Sequence, residues 1–128
     1  MIGVMLVFVV CCALGLALVI VGLYALFAPG GMARLYGMPI ESASAAGFVR
    51  AIGARDLAFG LALGAAAYFR QEPLLLVLAV LGLFLSLADF SIVYHAGGKQ
   101  LRPVHGVHAS GIIAFVLIVT MILFAFGR

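Results

Sequence analysis

Four apolar segments, each long enough to cross a lipid bilayer, constrain this chain more than any other feature. They cover Ile2–Phe27 and, approximately, residues 45–69, 74–94 and 104–126. About 20 apolar residues span the hydrocarbon core as a helix. Strands do not fit, because the segments are long and polar and apolar residues do not alternate in them. We therefore predict an all-α integral membrane protein, an antiparallel four-helix bundle in which residues 1–128 form a single four-span transmembrane domain.

The composition also favours a membrane protein. Hydrophobic residues make up 67% of the chain, charged residues only 9%, and the mean hydropathy is +1.37. Soluble domains carry about 25% charged residues. A small soluble domain leaves a large share of its surface in water, so it has no place for this much apolar surface. We expect the lipid bilayer to be a partner and the inner (plasma) membrane to be the location, with multiple passes.

The positive charge has a simple interpretation. The net charge is +3, but the sequence has no basic run and no basic helix face, so nucleic acid is not an expected partner. Lysine and arginine are enriched in cytoplasmic loops. The side with loops one and three carries Arg34, Lys99 and Arg102, whereas the opposite side carries Arg70 and Arg128. We therefore expect loops one and three in the cytoplasm and both termini outside.

The predicted helix boundaries leave one long connection. The sequence Pro29-Gly30-Gly31 is expected to close the first span, and loop one then continues to about residue 44. A short amphipathic piece around residues 32–36 is expected to lie in the membrane interface. Ser42 or Ser44 is a candidate cap for the second span, and Pro73 and Pro103 suit the first turns of the third and fourth.

Eight of the charged side chains are expected to gather at one end of the bundle, several of them within apolar segments. A charge in hydrocarbon is costly and is usually paired, faces a cavity or has a function. The clustering therefore predicts a polar pocket near one membrane face. The eight residues are Arg34, Glu41, Arg50, Arg55, Asp56, Asp89, Lys99 and Arg102.

The second predicted span carries a stripe of small residues with one carboxylate. Gly53, Asp56, Gly60 and Gly64 fall within an arc of roughly 80° on an ideal helix. Gly60 and Gly64 form a small-xxx-small motif, which allows a second helix of this chain or of another copy to approach closely. We expect Asp56 to face a neighbouring helix, and Arg50, at the edge of the arc, to be its ion-pair partner. The motif therefore allows two arrangements: contact between two helices of one chain, or a homodimer.

Arg55 points away from that arc, and two interpretations stay open: its side chain extends to lipid headgroups, or it belongs to the polar site. Asp89 lies about five residues before the predicted end of the third span, roughly 7 Å inside the helix. Its carboxyl group must be neutral, paired or hydrated there. His105 and His108 share a helix face and are suited to proton transfer, with headgroup contact as the alternative. No metal is predicted, because no H-x-x-x-H motif accompanies them.

The pattern Arg50-x-x-Gly53-x-Arg55-Asp56-x-x-x-Gly60, followed by Asp89 and a histidine, resembles a family of small four-helix integral membrane proteins. Tyr36-Gly37-Met38-Pro39 resembles the end of that family's first loop. The family is of largely unknown function and occurs in bacteria and fungi, and some fungal members are implicated in polyketide pyrone formation. The resemblance implies that Asp89 and a histidine are acid–base groups, and that Arg50 or Arg55 holds an enolate or carboxylate.

We therefore expect an acid–base catalyst of the cyclase or isomerase type that binds a lipophilic small molecule with a carbonyl group and needs no cofactor. The alternatives are a small transporter or exporter and a non-catalytic structural subunit. The first charge of the chain is Arg34, which argues against exporters that carry a carboxylate in the first span. The predicted catalytic residues are Asp89, His105 and His108, and the predicted substrate-binding residues are Arg50, Arg55 and Asp56.

Overall fold

The computed structural model describes residues 2–97 and 102–127, and this part of the chain is all-helical. In α5, side chains are described from Gly106 onward. The all-α prediction is confirmed, and the four long helices begin and end within three residues of the predicted segments. The helices of the described residues are α1 (Ile2–Phe27), α2 (Pro29–Leu35), α3 (Ala43–Tyr68), α4 (Glu72–Gly97) and α5 (Arg102–Ala125).

Three of these helices contain stretches long and apolar enough to cross a membrane, namely Ile2–Phe27, Glu72–Ala96 and Gly106–Ala125. They indicate a membrane protein. Helix α3 is as long as α1 but is not among the three, because its charged and small residues lower its mean hydropathy. That α3 also crosses the membrane, as the fourth span, therefore stays a prediction.

Loop one is more helical than the sequence suggests. Helix α1 ends at Phe27, directly before Ala28 and Pro29, as predicted, but Gly30 and Gly31 lie within the short helix α2. Proline is well accepted at the first position of a helix, because the N–H that it lacks has no intrahelical partner there. The chain then turns at Gly37, whose φ is 75°. Ser42 Oγ accepts a hydrogen bond from the Ala45 amide at 3.2 Å, so Ser42 is the N-cap of α3.

Helices α1 and α3 approach each other through pairs of glycines. A Cβ atom on Gly60 would lie 2.6 Å from the carbonyl oxygen of Gly15, and one on Gly53 would lie 2.8 Å from that of Gly22. These pairings run in reverse order along the two helices, so α1 and α3 are oppositely directed. The predicted close approach of a helix at Gly60 is confirmed, and the neighbour is α1 of the same chain.

Helices α4 and α5 form a second pair. The Phe115 ring lies directly over Gly82, and a Cβ atom on Gly111 would lie 3.1 Å from Ser86 Oγ. Larger residues at these glycines would push the helices apart. The main core joins the two pairs on the side of the chain termini, and its most deeply buried large side chains are Val7, Cys11, Leu63, Leu75, Ile118 and Ile122. Towards the other end, the space between the pairs holds the polar residues.

Candidate functional site

Arg55 connects two carboxylates from two helices. Its Nη1 and Nη2 atoms donate to Asp89 Oδ1 at 3.1 Å and Oδ2 at 2.6 Å, which is a bidentate pair between α3 and α4. Its Nε and Nη2 atoms also donate to Asp56 Oδ1, at 3.2 Å and 3.0 Å. One guanidinium group therefore fixes the relative positions of two carboxylates.

These three side chains are largely buried. The exposed fractions of the Arg55, Asp56 and Asp89 side chains are 34%, 15% and 28%. Of the two open interpretations of Arg55, the site role fits these contacts, because the guanidinium group is paired with both carboxylates. With both carboxylates ionised, the three groups carry one more negative charge than positive.

Tyr36, at the C-terminal end of α2, completes the arrangement from loop one. Its hydroxyl donates to Asp56 Oδ2 at 3.3 Å, and its ring centroid lies 5.2 Å from that of His108. Burial, reinforced by the neighbouring Asp56 carboxylate, raises the pKa of the Tyr36 phenol well above its usual range. Tyr36 is therefore a neutral hydrogen-bond donor. Met32 and Ala33, buried in the same helix, hold it in place.

His108 projects from α5 towards the same residues. Its Nε2 atom is buried and forms no hydrogen bond with any residue that the structure describes. Buried polar atoms are usually paired, so an unpaired ring nitrogen is a specific feature that needs an explanation. Imidazole either donates or accepts at this atom, according to its tautomer. We call Tyr36, Arg55, Asp56, Asp89 and His108 the polar cluster.

The polar cluster lies between two cavities. The inner cavity, about 370 Å³, is bounded by α1, α3, α4 and α5. The outer cavity, about 700 Å³, is bounded by loop one, α3 and α4. Both volumes fall within the range of sites for small ligands, roughly 300–1,000 Å³. Both cavities are lined mainly by apolar residues, and Tyr36, Arg55, Asp89 and His108 contribute to both.

Arg50 lies apart from the polar cluster. Its side chain is exposed, and its Nε atom donates to the Leu26 carbonyl oxygen at 3.2 Å. The predicted ion pair between Arg50 and Asp56 is therefore wrong, since Asp56 pairs with Arg55. The reason is geometric: six residues correspond to about 9 Å along a helix, whereas Arg55 is adjacent to Asp56 and folds back over it.

The remaining predicted residues are less closely involved. Arg34 and Glu41 are exposed, and Glu41 lines the outer cavity. Lys99 lies outside the described residues, as do the side chains of Arg102 and His105, so the predicted roles of these three stay predictions.

Tyr36 is the member of the polar cluster that the sequence analysis did not predict. A tyrosine near the end of an apolar segment is typical of the aromatic belt at a membrane interface, and that is its usual interpretation. The signal that marked it was the pattern Tyr36-Gly37-Met38-Pro39, which the family resemblance already contained.

Comparison with known proteins identifies the family and no activity. No curated protein and no solved structure matches this chain. A family model described as a domain of unknown function, DUF4267, matches residues 15–123, which include every member of the polar cluster. Because this match covers most of the sequence, the chain belongs to the DUF4267 family.

Proposed function

We propose that this protein is a membrane-embedded acid–base catalyst, of the cyclase or isomerase type, that acts on a lipophilic carbonyl compound. The observation that supports this most is the polar cluster itself, in which a guanidinium group, two carboxylates, a phenol and an unpaired imidazole nitrogen meet beside two apolar cavities. Apolar walls suit the hydrocarbon part of such a compound, and the polar cluster suits its carbonyl group.

The roles follow from the donors and acceptors of each group. Asp89 is the base that removes a proton next to the carbonyl group, and Arg55 stabilises the negative charge that develops on the carbonyl oxygen. His108 donates a proton to the product through Nε2, and the proton held by Asp89 then passes to His108, which restores both groups. Tyr36 and Asp56 are positioning residues, because Tyr36 bonds to Asp56 and Asp56 holds Arg55. His105 is a second candidate for the proton donor.

The charge balance of the polar cluster supports proton transfer. One guanidinium group faces two carboxylates, and an unbalanced charge in a poorly hydrated site is unfavourable. Transfer of the substrate proton to Asp89 keeps the total charge of the site and substrate constant and moves the negative charge onto the carbonyl oxygen, where the Arg55 guanidinium group stabilises it.

The family resemblance supports a carbonyl substrate. The resemblance seen in the sequence implies bacterial and fungal relatives, some of the fungal ones implicated in pyrone formation from polyketides. Ring closure of that kind also requires a proton to be taken from a carbon next to a carbonyl group. We place the protein in the plasma membrane with loops one and three in the cytoplasm, so that the outer cavity opens towards that side.

Hydrogen–deuterium exchange of a simple ketone tests the proposal without a known substrate. A long-chain aliphatic ketone is incubated in deuterated buffer with the purified protein in detergent, and the deuterium next to its carbonyl group is measured by mass spectrometry. We expect the wild type to accelerate exchange and Asp89→Asn to lose about 10²–10⁴-fold of that acceleration, the usual contribution of a general base.

The matched control is Glu72→Gln, which removes a carboxylate from the opposite end of the same helix. It should exchange deuterium like the wild type, with both variants showing wild-type helicity in detergent. Equal exchange by Asp89→Asn and the wild type would overturn the catalytic assignment.

A structural role for the same ion pairs is the second candidate. The bidentate contact between Arg55 and Asp89 joins α3 to α4 and fixes the register of two helices, which buried ion pairs do in some proteins. On this alternative, Asp89→Asn lowers the unfolding temperature strongly, and the wild type never accelerates exchange. His108 Nε2, which has no hydrogen-bond partner among the described residues, favours the catalytic proposal, because a purely structural cluster has no need of an available ring nitrogen beside two cavities.

A further inference from the structure

We infer that the substrate carries its reactive carbonyl group in the interior of an apolar chain, with one apolar arm in the inner cavity and the other in the outer cavity. This inference rests on the proposed function, and it specifies the class of substrate. A molecule with a terminal polar group, such as a fatty acid or a methyl ketone, fills only one cavity when that group contacts the polar cluster.

The first step of the argument is the order of the lining residues along α3. Those that line the outer cavity lie at or before Arg55, from Ala45 onward. Those that line the inner cavity lie at or after Arg55, as far as Phe59. The two cavities therefore follow each other along the helix axis, and Arg55 marks the boundary between them.

The second step is the same order, found independently on α4. Residues from Gly82 to Asp89 line the inner cavity, and residues from Asp89 to Val93 line the outer cavity. Asp89 is thus the boundary on α4, as Arg55 is on α3. Because these two residues are hydrogen-bonded to each other, the polar cluster stands where the two cavities meet, end to end along the helices.

The third step concerns length and polarity. From Ala45 to Phe59 the lining of α3 extends over roughly 20 Å at 1.5 Å per residue. The walls on both sides of the polar cluster are mainly apolar: Phe48 and Ile52 line the outer cavity, which carries Glu41 and Ser42 at its far end, and Leu14 and Phe115 line the inner cavity. An apolar cavity left unfilled forfeits dispersion contacts, so a ligand with an apolar arm on each side of its carbonyl group fits best.

Photo-cross-linking shows where each arm lies. The probe is a twelve-carbon ketone with its carbonyl group at mid-chain and a diazirine at each end, and labelled peptides of the purified protein are identified by mass spectrometry. We expect labels both on residues that line the inner cavity, on α1 and α5, and on residues that line the outer cavity, in loop one and the first turns of α3. A twelve-carbon methyl ketone, with a single diazirine at its far end, should label only one of these two sets.

Two variants fill the cavities separately. Ala114→Phe places a ring in the inner cavity and should abolish inner labels from the mid-chain probe, whereas Ala45→Phe should abolish outer labels. Their matched controls, Ile113→Phe and Ala51→Phe, change exposed neighbours on the same helices and should keep both sets. If a variant fails to fold, the labels that the two probes leave on the wild type still test whether the substrate occupies both cavities.

Labels from the mid-chain probe in only one cavity, or identical labels from both probes, would overturn the inference. So would the absence of any label that excess unlabelled ketone displaces. This readout is separate from deuterium exchange. A protein that binds the ketone across both cavities without catalysing exchange would contradict the proposed catalysis alone, and an active protein labelled in one cavity would contradict the inference alone.

Discussion

Arg55 determines the chemistry of the site because it is the cation that both carboxylates share. Its five N–H donors are arranged in a rigid plane, so Asp56 and Asp89 are held at fixed positions around it. A lysine would offer a point charge without this geometry. The other two members of the polar cluster, Tyr36 and a neutral His108, carry no charge. Their rings contact each other.

The Tyr36 phenol should remain protonated at pH values where a free tyrosine ionises. Its pKa is raised by burial and by Asp56, and a raised pKa in an acid extends the neutral form to higher pH. Tyrosinate absorbance of the wild type and of Tyr36→Phe should therefore coincide through pH of about 10, the ordinary pKa of tyrosine, and separate only above it. A difference that develops around pH 10 would show that Tyr36 is not buried against a carboxylate.

At the residue scale the sequence identified most of the polar cluster but not its bonding. Asp56, Asp89 and His108 stand out because ionisable groups are rare in apolar segments. Helix geometry alone placed Arg55 away from Asp56, since adjacent residues differ by about 100°. It did not account for the length and flexibility of the arginine side chain, which returns over its neighbour to reach Asp89.

At the scale of elements, the contact between α1 and α3 sets the width of the site. Glycines at 15, 22, 53 and 60 bring the two backbones together, and the inner cavity is lined by larger side chains from the same stretches of α1 and α3. The spacing of Gly60 and Gly64 predicted a helix neighbour. Only the structure identifies α1 as that neighbour. In the sequence, the glycines of α1 give no sign of a helix contact, because small and large apolar residues are equally compatible with lipid.

Two glycines of α3 that lie one helical turn apart, Gly60 and Gly64, should respond differently to substitution by alanine. A Cβ atom at position 60 would meet the Gly15 carbonyl oxygen at 2.6 Å and the Leu18 Cβ atom at 2.9 Å, whereas one at position 64 meets nothing within 4 Å. We expect Gly60→Ala to lower the free energy of unfolding by about 1–3 kcal/mol, the usual effect of overpacking. Gly64→Ala should be neutral or stabilising by up to about 1 kcal/mol, because alanine favours helices.

Thermal unfolding of both variants in one detergent measures this difference. Equal stability of Gly60→Ala and Gly64→Ala would contradict the packing of α1 on α3. A strong loss in Gly64→Ala alone would indicate that a second copy of the chain, rather than α1, contacts this face.

At the scale of the whole molecule, four elements contribute to the polar cluster: Tyr36 comes from loop one, Arg55 and Asp56 from α3, Asp89 from α4, and His108 from α5. Helix lengths and the number of long helices could be predicted, because hydrophobic segments and proline positions are local properties of the sequence. The helical content of loop one and the two cavities could not, since they depend on how α2 packs against the long helices.

A double-mutant cycle on Arg55 and Asp89 tests the central claim, that α3 and α4 join their ionisable groups in one site, most directly. The free energies of unfolding of Arg55→Gln, Asp89→Asn and the double variant are measured in detergent, together with the same cycle for Arg50→Gln and Asp89→Asn. We predict a coupling of at least about 1 kcal/mol for Arg55 with Asp89, and additivity within about 0.5 kcal/mol for Arg50 with Asp89. Additive effects of Arg55 and Asp89 would contradict the shared site.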